Sequence, residues 1–119
     1  MDIRIKTNNE TIDNEYKTYN SNDIKENKLN ILIRTSKRPN DFKNCINSIL
    51  YQEYTNYNII VSYDNEETLK YLNSYVSIKK ININLKSEEK FKYNLYCNYL
   101  MNEVEDGYII FLDDDDYFS

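Results

Sequence analysis

From Leu29 onward the chain alternates continuous apolar runs with stripes of helical period, and few folds can use that alternation. The run Leu29 to Arg34 carries Ile31, Leu32 and Ile33 in succession, as suits a strand covered on both faces, and it ends at Thr35. Phe42, Cys45, Ile46, Ile49 and Leu50 then stand at i, i+3, i+4, i+7 and i+8, with Pro39 and Asn40 as start signals of a helix. Asn58 to Tyr63 is a second buried run that ends at Asp64, and Leu69, Leu72 and Val76 predict a second helix opened by Glu66 and Glu67. Ile81, Ile83 and Leu85 alternate with Asn82 and Asn84, which predicts a half-exposed third strand nearer a sheet edge. Tyr93, Cys97, Leu100, Met101 and Val104 form a third helical stripe, stopped by Asp106 and Gly107. A fourth strand, Tyr108 to Leu112, runs directly into Asp113, Asp114, Asp115 and Asp116. Strands joined by helical crossovers give the α/β class: a mainly parallel sheet with flanking helices. Sheets of this kind bind ligands beyond the carboxyl ends of their strands.

Residues 1–28 are rich in Asn, Asp, Glu, Lys and Thr and cannot bury much apolar surface, so they are read as a polar leader, partly disordered, with one short strand near Ile3 to Lys6. The ordered domain is expected over residues 29–119. One domain is all that 119 residues support.

Charge and composition narrow the chemistry. The formal net charge of −5 is local, because residues 1–112 carry 15 basic and 16 acidic side chains and the remaining four acids are one run. A near-neutral body argues against binding a nucleic-acid backbone. One glycine excludes the glycine-rich phosphate loops, and zero histidines remove the commonest transition-metal ligand and general base. Cys45 and Cys97 fall on apolar helical positions and read as small buried hydrophobes in a reducing compartment. No apolar stretch reaches the roughly 18 residues of a membrane span and no secretory leader is present, so a cytoplasmic, intracellular chain is expected.

The polar residues collect at the predicted strand ends: Thr35, Ser36, Lys37 and Arg38 after the first, Asp64 after the second, and the aspartate run after the fourth. An acidic run is commonly just a solvated surface. Following a buried strand it is a different matter, since two like charges about 4 Å apart cost on the order of 4 kcal/mol at an effective dielectric near 20. An oxygen-only donor set suits Mg²⁺ or Mn²⁺, which complete their shells with water and substrate phosphates, so the expected ligand is a diphosphate. Arg38 and Lys37 can face phosphate; Asp64 can accept hydrogen bonds from a base or ribose, or cap the following helix.

The order of Ile-Leu-Ile-Arg-Thr-Ser-Lys-Arg-Pro (31–39), Ser48-Ile49-Leu50-Tyr51-Gln52, Ile-Ile-Val-Ser-Tyr-Asp (59–64), Asn98 and Phe-Leu-Asp-Asp-Asp-Asp (111–116) resembles the nucleotide-sugar half of GT-A glycosyltransferases, family 2 in particular. The resemblance covers about residues 29–119 and implies a Rossmann-like GT-A domain, truncated before its acceptor half. It implies transfer of a sugar, of the hexosyltransferase type, from a UDP- or GDP-sugar with Mn²⁺ or Mg²⁺. Thr35 and Arg38 would lie by the nucleotide and Asp64 would bond the base. Asp113 and Asp115 would form the D-x-D element, with Asp115 the best metal ligand and Asp113 or Asp114 reaching ribose or metal. Asn98 corresponds to the family's Asn in an Ala-Arg-Asn stretch, but Cys97 stands where Arg is frequent, so one phosphate contact is missing or supplied elsewhere.

Family members continue past the D-x-D into an acceptor-binding half that carries the catalytic base, and no residue here is assigned as that base. The chain is then a fragment, a part needing a second polypeptide, or an inactive nucleotide-sugar-binding remnant. Two other classes compete. A signalling receiver also places aspartates at parallel strand ends, but it wants acids after the first strand, where this chain has Arg-Thr-Ser-Lys-Arg. A non-enzymatic glycan- or protein-interaction module would draw on the 13 tyrosines, though Tyr93, Tyr96 and Tyr99 are more simply core edge and amphipathic cover.

Overall fold

A computed structural model describes residues 2–7, 10–13, 28–86 and 90–117. Its elements in chain order are β1 (Asp2–Thr7), β2 (Glu10–Asp13), β3 (Leu29–Arg34), α1 (Pro39–Leu50), β4 (Tyr57–Tyr63), α2 (Glu66–Leu72), β5 (Ile78–Asn82), α3 (Lys92–Asn102) and β6 (Gly107–Asp113). They form one sheet in the order β2-β1-β6-β3-β4-β5. The four strands β6, β3, β4 and β5 are parallel, while β1 runs antiparallel to both β6 and β2. The mainly parallel α/β sheet with flanking helices is therefore present. β1 occupies the stretch in which a short strand is predicted; β2 has no counterpart in the periodicity, and residues 14–27 of the predicted leader lie outside the described residues.

The strict alternation of side chains along each strand divides the core in two. On one face Ile31, Ile33, Ile59, Val61, Ile110 and Leu112 pack with Phe42, Cys45, Ile46 and Ile49 of α1 and Leu72 of α2. On the other, Leu32, Ile60, Ile109 and Phe111 pack with Tyr96, Cys97 and Leu100 of α3. Burying each such aliphatic or aromatic side chain contributes about 1.5–3 kcal/mol, which explains why the buried positions of the central strands are apolar except for Asn30 and Ser62. Asn30 is bonded: its Nδ2 donates to the carbonyls of Asp106 (2.8 Å) and Tyr108 (3.1 Å) and so pins β3 to the entry of β6.

Some boundaries differ from the periodicity. The third strand is Ile78–Asn82 and not the Ile81–Leu85 stretch, because Ile78 pairs with Ile59 and Ile83 contributes a single further bond, from its N–H to the Tyr63 carbonyl. Ile83 and Leu85 nevertheless face the α3 core, so their alternation reports burial and not pairing. β5 does lie at the sheet edge. Val76 is 96% exposed, because α2 ends at Leu72, where the Ser74 hydroxyl takes the Tyr71 carbonyl and the Tyr75 N–H takes that of Leu72. Leu50 and Tyr93 are likewise exposed, and the buried aromatic of α3 is Tyr96, which the third stripe does not include.

The single glycine has a structural reason. Gly107 opens β6 at φ +104°, and a Cβ there would stand 2.4 Å from the Lys28 carbonyl oxygen. Only glycine fits both the backbone angle and the approach.

Candidate functional site

β3 and β6 are neighbours in the sheet, yet the helices that adjoin them in sequence pack on opposite faces: α1 follows β3 on one, α3 precedes β6 on the other. The sheet therefore has its switch point between these two strands, and both carboxyl ends open there. A cleft of about 290 Å³ lies at that rim, lined by Arg34, Thr35, Ser36, Arg38, Asp113, Asp114 and Asp115. A second cleft of about 310 Å³ at the opposite edge, lined by Lys28, Asn58, Lys79, Glu103 and neighbours, holds no comparable carboxylate cluster; its Lys79 and Glu103 are paired at 2.7 Å.

Alternation decides which aspartate does what. Leu112 faces the α1 side, so Asp114 does too, and it is only 6% exposed. Its Oδ2 accepts from the Thr35 hydroxyl at 3.0 Å and its Oδ1 from Arg38 Nη1 at 3.3 Å. Thr35 spends its one proton on that carboxylate, so the 2.7 Å contact between Thr35 Oγ1 and the Tyr71 hydroxyl has Tyr71 as donor, and the Tyr71 oxygen accepts from the Arg38 backbone N–H at 3.3 Å. A closed ring of hydrogen bonds thus joins the loop after β3, helix α2 and the end of β6. Burial raises the Asp114 pKa above its ordinary value; the Thr35 bond and the Arg38 charge pull it back, and Asp115 and Asp41 push it up again.

The loop itself is held in a tense conformation. Lys37 has φ +55°, costly for a residue with a Cβ, and its N–H is fixed by Thr68 Oγ1 at 2.9 Å. Pro39 then starts α1 at its first turn.

The other three aspartates turn outward. The Asp116 N–H returns to the Asp113 carbonyl at 2.9 Å and the Asp116 carboxylate accepts from the Asp113 N–H at 2.9 Å, closing a tight turn. Asp113, Asp115 and Asp116 each offer a carboxylate oxygen, and these lie within 4.8 Å of one another. Such an all-oxygen, solvent-accessible set fits a hard divalent cation that keeps part of its water shell. Arg38 also stands 3.7 Å from Asp115, an exposed pair that contributes little stability.

The structure brings Thr35, Arg38, Asp113, Asp114 and Asp115 into one cleft. Asp64 stands one strand away, its Oδ1 accepting from Ser36 Oγ (2.9 Å) and Asn65 Nδ2 (2.6 Å), and it lines a small adjoining cavity with Arg34, Ser36 and Tyr96. The cap of α2 is Asn65, which accepts from the Thr68 N–H at 2.8 Å, so capping is not the role of Asp64. Asn98 lies on the exposed side of α3 and lines none of these cavities.

Three residues of the rim carry no role from the sequence: Arg34, Ser62 and Tyr71; Asp116 enters there only as a member of the aspartate run. Arg34 ends β3 on the α3 face and lays its guanidinium carbon 4.9 Å above the centre of the Tyr96 ring. Ser62, level with Arg34 in the adjacent strand, is fully buried and its hydroxyl has no hydrogen-bond partner among the described residues. Period-two counting from Leu32 and Ile60 places Arg34 and Ser62 on the α3 face. Nothing in the spacing marks Tyr71, which works from another element.

Cys45 and Cys97 are both buried, and no disulfide joins them. Burial, then the neighbouring carboxylates, push the Cys45 thiol to about 12, so it is no nucleophile. Among the described residues no helix is long and apolar enough to cross a membrane.

The fold has known counterparts. The chain is similar to S. aureus TarS 1-349 at 21% identity and TM-score 0.62, over 76% of this chain and 28% of that one. A longer S. aureus TarS structure gives 21% identity and TM-score 0.61, over 76% of this chain and 17% of that one. The mannosyltransferase PcManGT from Pyrobaculum calidifontis, in complex with GDP-Man and Mn²⁺, gives 10% identity and TM-score 0.55, over 75% and 28%. The chain thus spans less than a third of the length of each of these proteins. No curated protein sequence matches it. The family model for glycosyl transferase family 2 matches residues 30–119, from the first buried strand through the aspartate turn, and the chain belongs to that family.

Proposed function

We propose that this domain binds a nucleoside-diphosphate sugar, UDP- or GDP-linked, together with Mn²⁺ or Mg²⁺, and forms the donor half of a hexosyl-transferring enzyme. The observation that carries the reading is the set of three outward carboxylates, with oxygens within 4.8 Å, on the edge of a cleft that also holds arginine side chains. Anionic and cationic walls together suit a metal-bridged diphosphate. The Mn²⁺ and GDP-Man in the pyrobacular neighbour support the same ligand class.

Asp113, Asp115 and Asp116 would hold the cation, which when bound neutralises charge on the departing nucleoside diphosphate. Asp114 holds the turn in place through Thr35 and Arg38, and Thr35 and Arg38 border the nucleotide. Asp64 accepts from the base. Asn98, exposed on α3 and lining none of these cavities, takes no part in this reading. No described residue is assigned to the acceptor site or as catalytic base; further chain or a second polypeptide would supply them, and an inactive donor-binding remnant is the alternative. Two buried cysteines that form no disulfide accord with a cytoplasmic setting.

Calorimetric titration of the chain with UDP and GDP, in excess Mn²⁺ and again in EDTA, tests the reading. Metal-dependent binding of either supports it, and absence of binding by both in Mn²⁺ overturns it. Turnover of a nucleotide sugar, abolished by Asp115→Ala, would show the chain to be a complete enzyme.

A further inference from the structure

The two arginines of the rim are in different states. Arg38 is engaged: its Nη1 lies 3.3 Å from Asp114 and 3.7 Å from Asp115, and its charge is needed to hold a buried carboxylate. Arg34 forms no ion pair with any described residue, and its contact is the face of the Tyr96 ring, with the guanidinium carbon 4.9 Å from the ring centre. A ring face attracts a guanidinium without using its N–H groups, so the hydrogen-bonding edge of Arg34 stays available while its plane is fixed.

Position strengthens the contrast. Arg34 is level with Asp113 in the pairing of β3 with β6, and both side chains project on the α3 face, opposite to Asp114. Arg34 lines the 290 Å³ cleft together with Asp113 and Asp115. It also lines the two smaller cavities beside it, against Asp64 and Ser62 on one side and Cys97 and Asp113 on the other. A planar cation with free donors, standing next to carboxylates that fit a divalent cation, matches a ligand whose anionic oxygens meet a metal at one end and a guanidinium at the other.

We propose that Arg34, carried on the Tyr96 ring, is the arginine that receives the diphosphate oxygens of the ligand, and that Arg38 serves the protein by neutralising Asp114. This inference rests on the donor-site reading given above and assigns its anion contact to a residue of the strand end. Arg34 is a binding residue in this role and Tyr96 positions it.

The test compares calorimetric titrations of the full chain with inorganic diphosphate, UDP, GDP and the nucleosides uridine and guanosine, all in excess Mn²⁺. Arg34→Met should weaken inorganic diphosphate and the better-binding nucleoside diphosphate by at least tenfold, and leave any nucleoside binding within twofold. Arg34→Lys keeps the charge without the planar fork and should lie between Met and wild type. Arg38→Met should alter thermal stability and change diphosphate affinity less than Arg34→Met does. Because Arg34 is exposed, both of its variants should keep the wild-type circular dichroism spectrum. Wild-type binding that survives unchanged in Arg34→Met and Arg34→Lys overturns this inference and leaves the donor-site reading standing. Failure of the wild-type chain to bind any diphosphate in Mn²⁺ overturns both.

Discussion

The Thr35 hydroxyl donates to Asp114 Oδ2 at 3.0 Å, across the boundary between the loop after β3 and the turn after β6. Seventy-nine residues of sequence separate the two, and the bond closes the site. Thr35→Val keeps the shape and removes the proton, leaving a buried carboxylate short of one donor and the Tyr71 hydroxyl without its acceptor. Leaving such groups unsatisfied costs about 1–3 kcal/mol. Urea denaturation should register a loss in that range, whereas Ser at position 35 should restore most of it.

The burial of Asp114 has a pH signature in metal-free protein. Its pKa is raised in the folded state, mainly by burial, above the 3.8 of an ordinary aspartate. The folded chain then binds this proton more tightly than the unfolded chain does. Stability from this group is fully present below the unfolded value and is lost as pH rises through the folded one. In EDTA, the wild-type chain should therefore gain stability relative to Asp114→Asn as pH falls from about 7 through that window. Carbon-detected titration of the Asp114 carboxyl should give a midpoint above 3.8, and Arg38→Met, which removes a lowering charge, should raise it further.

How much of this is legible in the sequence depends on the physical origin of each feature. β3, β4, β6 and α1 follow from unbroken apolar runs and one clean helical stripe, because burial on both faces leaves a dense signal. The rim was visible for the same reason, since the ends of buried strands are where polar residues resume. Edge elements were not: β5 begins three residues before the alternation that predicts it, and β2 consists of Glu-Thr-Ile-Asp, which no pattern distinguishes from loop. Within the aspartate run the composition says only that four acids are present. Which of them turns inward depends on strand phase, and the ring through Tyr71 depends on packing between elements far apart in sequence.

Gly107→Ala should be strongly destabilising. The added Cβ meets the Lys28 carbonyl oxygen at 2.4 Å, a backbone atom that cannot swing away, and the φ of +104° is itself strained for alanine. A loss on the order of 2–3 kcal/mol is expected, read as a lower urea midpoint with an unchanged slope.

Ser62→Ala should do the opposite. The Ser62 hydroxyl is fully buried and unpaired among the described residues, beside a cavity of about 10 Å³. Removing it relieves the desolvation of a polar group, so stability should hold or rise by up to about 1 kcal/mol. A loss of more than that would mean that the hydroxyl is paired in solution, by a water in that cavity.

Asp116 separates turn formation from metal holding. Its carboxylate accepts from the Asp113 N–H at 2.9 Å and also supplies the third oxygen of the outward cluster. Asp116→Asn can still accept the turn bond through its amide oxygen but brings no negative charge, whereas Asp116→Ala loses both. If the three carboxylates hold a cation, Mn²⁺ affinity measured by electron paramagnetic resonance should fall at least fivefold in Asp116→Asn, with little change in urea midpoint. Asp116→Ala should lose the metal to the same extent and lose stability as well, by about 1 kcal/mol for the turn bond. Equal Mn²⁺ affinity in wild type and Asp116→Asn would confine the metal site to Asp113 and Asp115.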